Sequence, residues 1–295
     1  MEASEHPLYR REFLAAALSL AVPFCSLRAE EPRKKALWMD EPKGPYAPFR
    51  MALQTYSLRK FDYNKMMESA YDLQLGQPGQ FGFLDLWPDH LPKDLDEGEF
   101  RRRRRALRAN SLKEIAYGVV EFTKDHDSNR EIFEFSRRIN VYAITARPAP
   151  DSFDSLDKLV EELGVAVAIH NHGPEDKMYG TPDLIDKAIK DHHKRIGVCI
   201  DVGHFLRCGV KPLEVVKTFK DRVYAVHLKD VKSEGGKYKD VVLGQGDLDL
   251  VAFLKGLKEA GFKGGLAIEY EEEPENPIPS IKKCLEAVKE AVKKI

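Results

Sequence analysis

Residues 165–172 read VAVAIHNH, 197–204 GVCIDVGH, 223–230 VYAVHLKD and 266–271 LAIEYE. Each stretch is a short run of small and β-branched apolar residues that ends in an ionisable group: His170, Asp201, His227 and Glu269. Continuous apolar runs of this length read as strands buried on both faces, which is the signature of a parallel sheet. Outward from these four the same rhythm continues, with candidate strands at 51–56, 82–87, 114–119, 142–146, 165–170, 197–201, 223–228 and 266–270. Between them lie amphipathic helical patterns at 64–73, 99–108, 129–139, 153–163, 181–192, 212–219 and 248–260, and a last one at 280–294. Eight strand–helix repeats, none joined by a tight hairpin, predict crossover connections throughout. Eight is the number that closes a barrel, so the expected class is α/β, a single (β/α)8 barrel over 50–295. An open doubly wound sheet would be unusually large.

The 295 residues suffice for one such barrel, which typically needs about 250. A formal net charge of -1 provides no global field toward nucleic acid or anionic lipid. Five consecutive arginines, Arg101 to Arg105, follow the acidic 94–99 segment and point all round a helix, which predicts a solvated helix rather than a binding face. Cys25, Cys199, Cys208 and Cys284 form no CxxC pair, which argues against a disulfide framework or a thiolate zinc site. At the N-terminus Arg10-Arg11-Glu12-Phe13-Leu14 precedes a short apolar run, a pattern like a twin-arginine export signal over 1–29. The run falls short of the roughly 20 apolar residues of a membrane span, so no stable anchor is expected. A periplasmic or secreted location follows, with a cytoplasmic protein bearing an amphipathic N-terminal helix as the alternative. Residues 30–49, rich in proline and charge, read as a linker.

In a barrel of this kind chemistry resides at the C-terminal ends of the strands. An ionisable group closing an apolar strand is costly unless something pairs with it. Two carboxylates and several imidazoles converging on one mouth would satisfy one another around one divalent metal ion. Mixed nitrogen and oxygen donors suit manganese, zinc, cobalt or iron. The expected ligands are His170, Asp201, His227 and Glu269. His90, Arg147, His172, His204 and Lys229 stand near strand ends as candidates for substrate binding, with Arg147 suited to an anionic group or an enolate oxygen.

From about Met51 to the end the chain resembles the xylose isomerase-like TIM barrel superfamily, within it the sugar phosphate isomerase/epimerase group. The resemblance is carried by QTYSLR (54–59), LDLWPDHLP (84–92), AYGVVEFTKD (116–125), AIHNHGPED (168–176), CIDVGHFLRCGV (199–210), VHLKDVK (226–232) and IEYEEEPENP (268–277). It implies metal ligation by Asp201, His227 and Glu269, with His204 close to metal or substrate. It also implies a glutamate after the fifth strand, where this chain has His170. One carboxylate of a symmetric two-glutamate base pair is therefore missing. His170 can ligate a metal as neutral imidazole, and Glu175 in the following loop is the candidate replacement base.

The expected function is a metal-dependent sugar or keto-sugar isomerase or epimerase, working by proton transfer next to a carbonyl through a metal-stabilised enediolate. Glu269 or a histidine of the 170–172 cluster would take the proton. A lyase or dehydratase performing β-elimination on 3-keto-glycosides is the alternative. An endonuclease IV-like DNA repair enzyme and a non-catalytic sugar-binding barrel are further ones. The expected partner is a small carbohydrate, not nucleic acid, with homo-oligomerisation left open.

Overall fold

The computed structural model describes residues 40–75, 82–235 and 237–295. The strands are β1 (Arg50–Gln54), β2 (Gly82–Leu86), β3 (Leu112–Phe122), β4 (Ala143–Pro148), β5 (Ala166–His170), β6 (Ile196–Asp201), β7 (Val223–Leu228), β8 (Asp230–Glu234), β9 (Lys237–Val241) and β10 (Gly265–Ile268). All but β8 and β9 join, parallel, into a closed barrel in the order β1, β10, β7, β6, β5, β4, β3, β2. That circular order sets β5 and β6 across the barrel from β1 and β2.

Alternation along each strand explains what faces where. In β5, Ala166 and Ala168 join Ala143, Cys199 and Ala225 in a cluster of small side chains capped by Tyr142 and Tyr224. Val167 and Ile169, one residue out of phase, belong instead to the large core shared with the helices. Small inward residues suit an eight-stranded interior, which has room for packed side chains but not for a pore. The same phase carries the inward line of β5 on to His170, of β6 to Asp201, of β7 to His227 and of β10 to Glu269.

The crossover helices are α1 (Tyr63–Asp72), α2 (Glu97–Ala109), α3 (His126–Ile139), α4 (Phe153–Leu163), α5 (Pro182–Ile189), α6 (Val202–Arg207), α7 (Pro212–Phe219), α8 (Leu250–Glu259) and α9 (Ile278–Val292). Oxygen side chains start many of them: Asp62, Asp96, Asp125, Thr181 and Asp249 each accept a hydrogen bond from a first-turn amide. Gly164 ends α4 at φ 70°, a left-handed position that a side chain would strain. The arginine run lies on α2, where Arg101 pairs with Glu97, and Arg102 and Arg103 with Glu99. Arg104 reaches the buried Glu114 of β3 at 2.8 Å.

The structure corrects three expectations. A hairpin does exist: β8 and β9 pair antiparallel outside the barrel, directly after β7. Its residues are charged and largely exposed, so no apolar run betrayed it. The first strand stops at Gln54, and Thr55–Leu58 forms a 3-10 turn. That turn ties neighbouring strand ends, with Thr55 Oγ1 accepting from Trp87 N and Ser57 Oγ from Tyr270 N. Finally, Tyr46 and Phe49 of the expected linker are buried in the main core, because residues 40–49 fold against the barrel. The rest of that linker and the export-like segment lie outside the described residues. No helix among the described residues is long and apolar enough to cross a membrane.

Candidate metal centre

His170, Asp201, His227 and Glu269 meet at the C-terminal mouth of the barrel, each offering one donor atom within 4.8 Å of the others. All four are buried. His170 Nε2 stands 3.5 Å from Asp201 Oδ2, and His227 Nδ1 3.2 Å from Glu269 Oε2. Both ring nitrogens of His170, Asp201 Oδ2, His227 Nδ1 and Glu269 Oε2 lack a hydrogen-bond partner among the described residues. Buried polar atoms are ordinarily satisfied, so these orphaned lone pairs on converging nitrogen and oxygen donors fit a divalent metal. The set matches zinc, manganese, cobalt or iron better than the all-oxygen shells of calcium or magnesium.

The chain supplies a cation of its own in this cluster. Lys229 Nζ lies 3.2 Å from Asp201 Oδ2 and 3.2 Å from Glu269 Oε2, and also bonds Glu271. Burial alone would raise the Asp201 carboxyl, but His204, Lys229 and His170 outweigh it and hold the group well below the usual carboxylate range. For Glu269, too, burial is overcome, by Lys229 and His227. Burial works against the imidazolium of His227, yet Cys199, Glu269 and Asp85 raise it well above the ordinary histidine value. His172 and His204 are pushed down to about 4, by burial first, so both rings are neutral near pH 7.

Above the cluster opens a cavity of about 590 Å³. His170, His172 and His204 line one side; Tyr56 and Trp87, packed edge to face at 5.4 Å, line another. These come from the β5–β6 and β1–β2 ends, which oppose each other across the barrel. Arg147, Glu175 and Asp176 also reach the wall, with Arg147 3.4 Å from Asp176 and Glu175 3.5 Å from Arg207. Two candidates for substrate binding are placed differently. His90 does not line the cavity; it is buried, its Nε2 3.1 Å from the Phe61 carbonyl and its ring against Trp87. Its Nδ1 has no hydrogen-bond partner among the described residues. Lys229 is likewise absent from the wall, because the carboxylates draw it beneath the cavity floor.

Other residues at the site went unmarked in the sequence reading. Asn171 clamps the Asp201 backbone, its Oδ1 accepting from N at 2.9 Å and its Nδ2 donating to O at 3.2 Å. Asp85 Oδ2 stands 2.9 Å from His227 Nε2, and Gln54 Nε2 3.4 Å from the same atom. Glu271 completes the wall beside Glu269. Gln54 and Asp85 close the inward lines of β1 and β2, so strand phase was the signal that could have found them.

A closed parallel barrel with buried metal-type donors at its C-terminal mouth defines the class. A family model described as Xylose isomerase-like TIM barrel matches residues 146–291. A solved structure described as IOLI protein with a binding zinc atom superposes with a TM-score of 0.66 at 18% identity, covering 83% of this chain and 99% of that one. The fold is that of the xylose isomerase-like TIM barrels, and residues 146–291 carry the sequence similarity to them. Among curated relatives, the rhizopine catabolism protein MocC of Rhizobium meliloti is 28% identical over 139 residues, 42% of each chain. Inosose dehydratase of Clostridium perfringens is 28% identical over 160 residues, 48% of this chain and 52% of that one. The chain spans about half the length of the curated relatives it matches.

Proposed function

We propose that this chain is a divalent-metal-dependent enzyme that removes a proton next to the carbonyl of an uncharged polyhydroxylated substrate, and that the resulting enolate expels a β-hydroxyl as water. The observation that carries the reading is the set of orphaned donors of His170, Asp201, His227 and Glu269 on the floor of a substrate-sized cavity. A divalent ion held there supplies Lewis acidity to the carbonyl and charge stabilisation as the enolate forms.

The walls bear on the outcome. Epimerisation at one carbon takes proton-transfer groups on both faces of the substrate. Here imidazoles stand on the β5–β6 side, while aromatic rings occupy the β1–β2 side. Neutral His172 or His204 suits proton removal. As the C–H bond breaks, its electrons form the C=C bond and the C–O bond to the β-hydroxyl breaks. The new imidazolium then gives its proton to the departing hydroxyl, which leaves as water. One base on one face completes the balance. The part-length similarity to inosose dehydratases supports elimination. Return of a proton from the same base, after exchange with solvent, to the adjacent carbon is an aldose–ketose isomerisation; it uses the same wall and is the second reading.

The carboxylates of Glu121, Glu175, Asp176, Glu269 and Glu271 line the cavity, Arg147 is the one cation among its described lining residues, and Lys229 sits behind Glu269 and Glu271, which supports a substrate without phosphate. The twin-arginine-like segment makes export of the folded protein part of the proposal.

The test is a panel of aldoses, ketoses, 3-keto-glycosides and keto-cyclitols incubated with metal-loaded protein in deuterated water. Expected are deuterium next to the carbonyl by NMR and an unsaturated carbonyl product by ultraviolet absorbance. Neither signal on any member would overturn the proposal; deuterium in an isomerised product would select the second reading.

A further inference from the structure

Asp85 is a carboxylate in a place where carboxylates are expensive. It is 1% exposed and closes β2 inside the barrel, and Oδ1 has no hydrogen-bond partner among the described residues. Its other oxygen reaches across 142 positions of sequence to His227 Nε2 at 2.9 Å, and no other hydrogen bond of that side chain is seen among the described residues. An apolar residue would fill the same space without desolvating a charge. The cost therefore points to a task, and the task concerns one ring.

An ionised carboxylate can only accept, so Nε2 must carry a hydrogen when it bonds Asp85. Gln54 Nε2, 3.4 Å from the same nitrogen, is an amide donor because Gln54 Oε1 is engaged by Tyr56 N at 3.0 Å. One of its two hydrogens serves the Gly118 carbonyl at 3.5 Å. The carboxylate contact, at 2.9 Å against 3.4 Å for the amide, sets the tautomer. With Nε2 protonated, the lone pair of a neutral His227 is on Nδ1, the atom that faces Glu269 in the donor cluster.

We infer that Asp85 is a positioning residue for the metal centre: it locks the ring orientation and tautomer of His227 so that Nδ1 is presented as a donor. The inference rests on the metal reading of the cluster. A hydrogen-bonded carboxylate behind a ligand histidine also raises the basicity of the donor atom, and loss of such a partner typically weakens metal affinity about 10- to 100-fold.

The test titrates cobalt(II) into metal-free wild type, Asp85→Ala and Asp85→Asn, following the d–d absorption bands and the exchangeable imidazole N–H resonance shifted by the paramagnetic ion. Expected are tight binding and one protected N–H assigned to His227 in wild type. Asp85→Ala should bind about 10- to 100-fold more weakly and lose that resonance to solvent exchange. Asp85→Asn keeps an acceptor oxygen without the charge, so its affinity should fall between the two. If Asp85→Ala does not fold, Asp85→Asn against wild type carries the test. Equal affinities with an unchanged N–H signal would overturn the positioning role while leaving the metal centre intact. A wild type that takes up no cobalt would overturn the metal centre itself, and the positioning role with it.

Discussion

Lys229 places a buried ammonium 3.2 Å from Asp201 Oδ2 and from Glu269 Oε2, two of the oxygens that the metal centre needs. Lysine and metal therefore compete for the same lone pairs. Lys229→Met should leave Asp201, Glu269 and Glu271 without their cation, costing the metal-free protein about 3–5 kcal/mol. Zinc should then restore more stability in the variant than it adds to wild type. Thermal midpoints with and without zinc check this, and an unchanged metal-free midpoint would contradict it. His170, Asp201, His227 and Glu269 were legible because each interrupts an apolar strand at its end, where an unpaired charge is costly. Asp85 and Gln54 show only in the phase of β1 and β2, and Asn171 not at all, since what it serves is the Asp201 backbone on another strand. His90, also beside a strand end, is placed outside the cavity wall, its Nε2 on the Phe61 carbonyl and its ring against Trp87.

The β8–β9 hairpin follows β7 directly, and β9 carries Asp240 toward the charge cluster. Burial pushes the Asp240 carboxyl up to about 6, with Lys229 opposing and Glu271, Asp201 and Glu269 adding to the rise. In the unfolded chain the group titrates near its ordinary 3.8. Between these values the unfolded state releases a proton that the folded state keeps, so this residue costs stability progressively as pH rises through that window. Asp240→Asn should match wild type near pH 3.5 and exceed it in thermal midpoint above pH 6. A difference that does not change with pH would contradict the assignment. The barrel strands and crossover helices could be read from apolar period and caps, because burial dictates both. The hairpin and α6 could not: the hairpin is charged on both strands, and α6 has only six residues. The N-cap of α6 is Asp201, whose Oδ1 accepts from His204 N at 2.8 Å, so one residue ends a strand, starts a helix and enters the donor cluster.

Barrel closure is what turns separate strand ends into a site. Residues from β5, β6, β7 and β10 are adjacent on the ring and share the floor, while β1 and β2 supply the facing aromatic wall. The excess of carboxylates around that cavity predicts weaker binding of phosphorylated sugars than of their neutral counterparts, by about tenfold at low ionic strength and less as salt is added. Calorimetric titration of matched pairs checks it; tighter binding of the phosphorylated member would contradict it. The metal centre itself is tested most directly by anomalous diffraction from crystals grown with zinc and recorded at its absorption edge. The account predicts one strong peak within about 2.3 Å of donor atoms from His170, Asp201, Glu269 and Nδ1 of His227. Absence of a peak at that floor, with Lys229 still bridging Asp201 and Glu269, would contradict it.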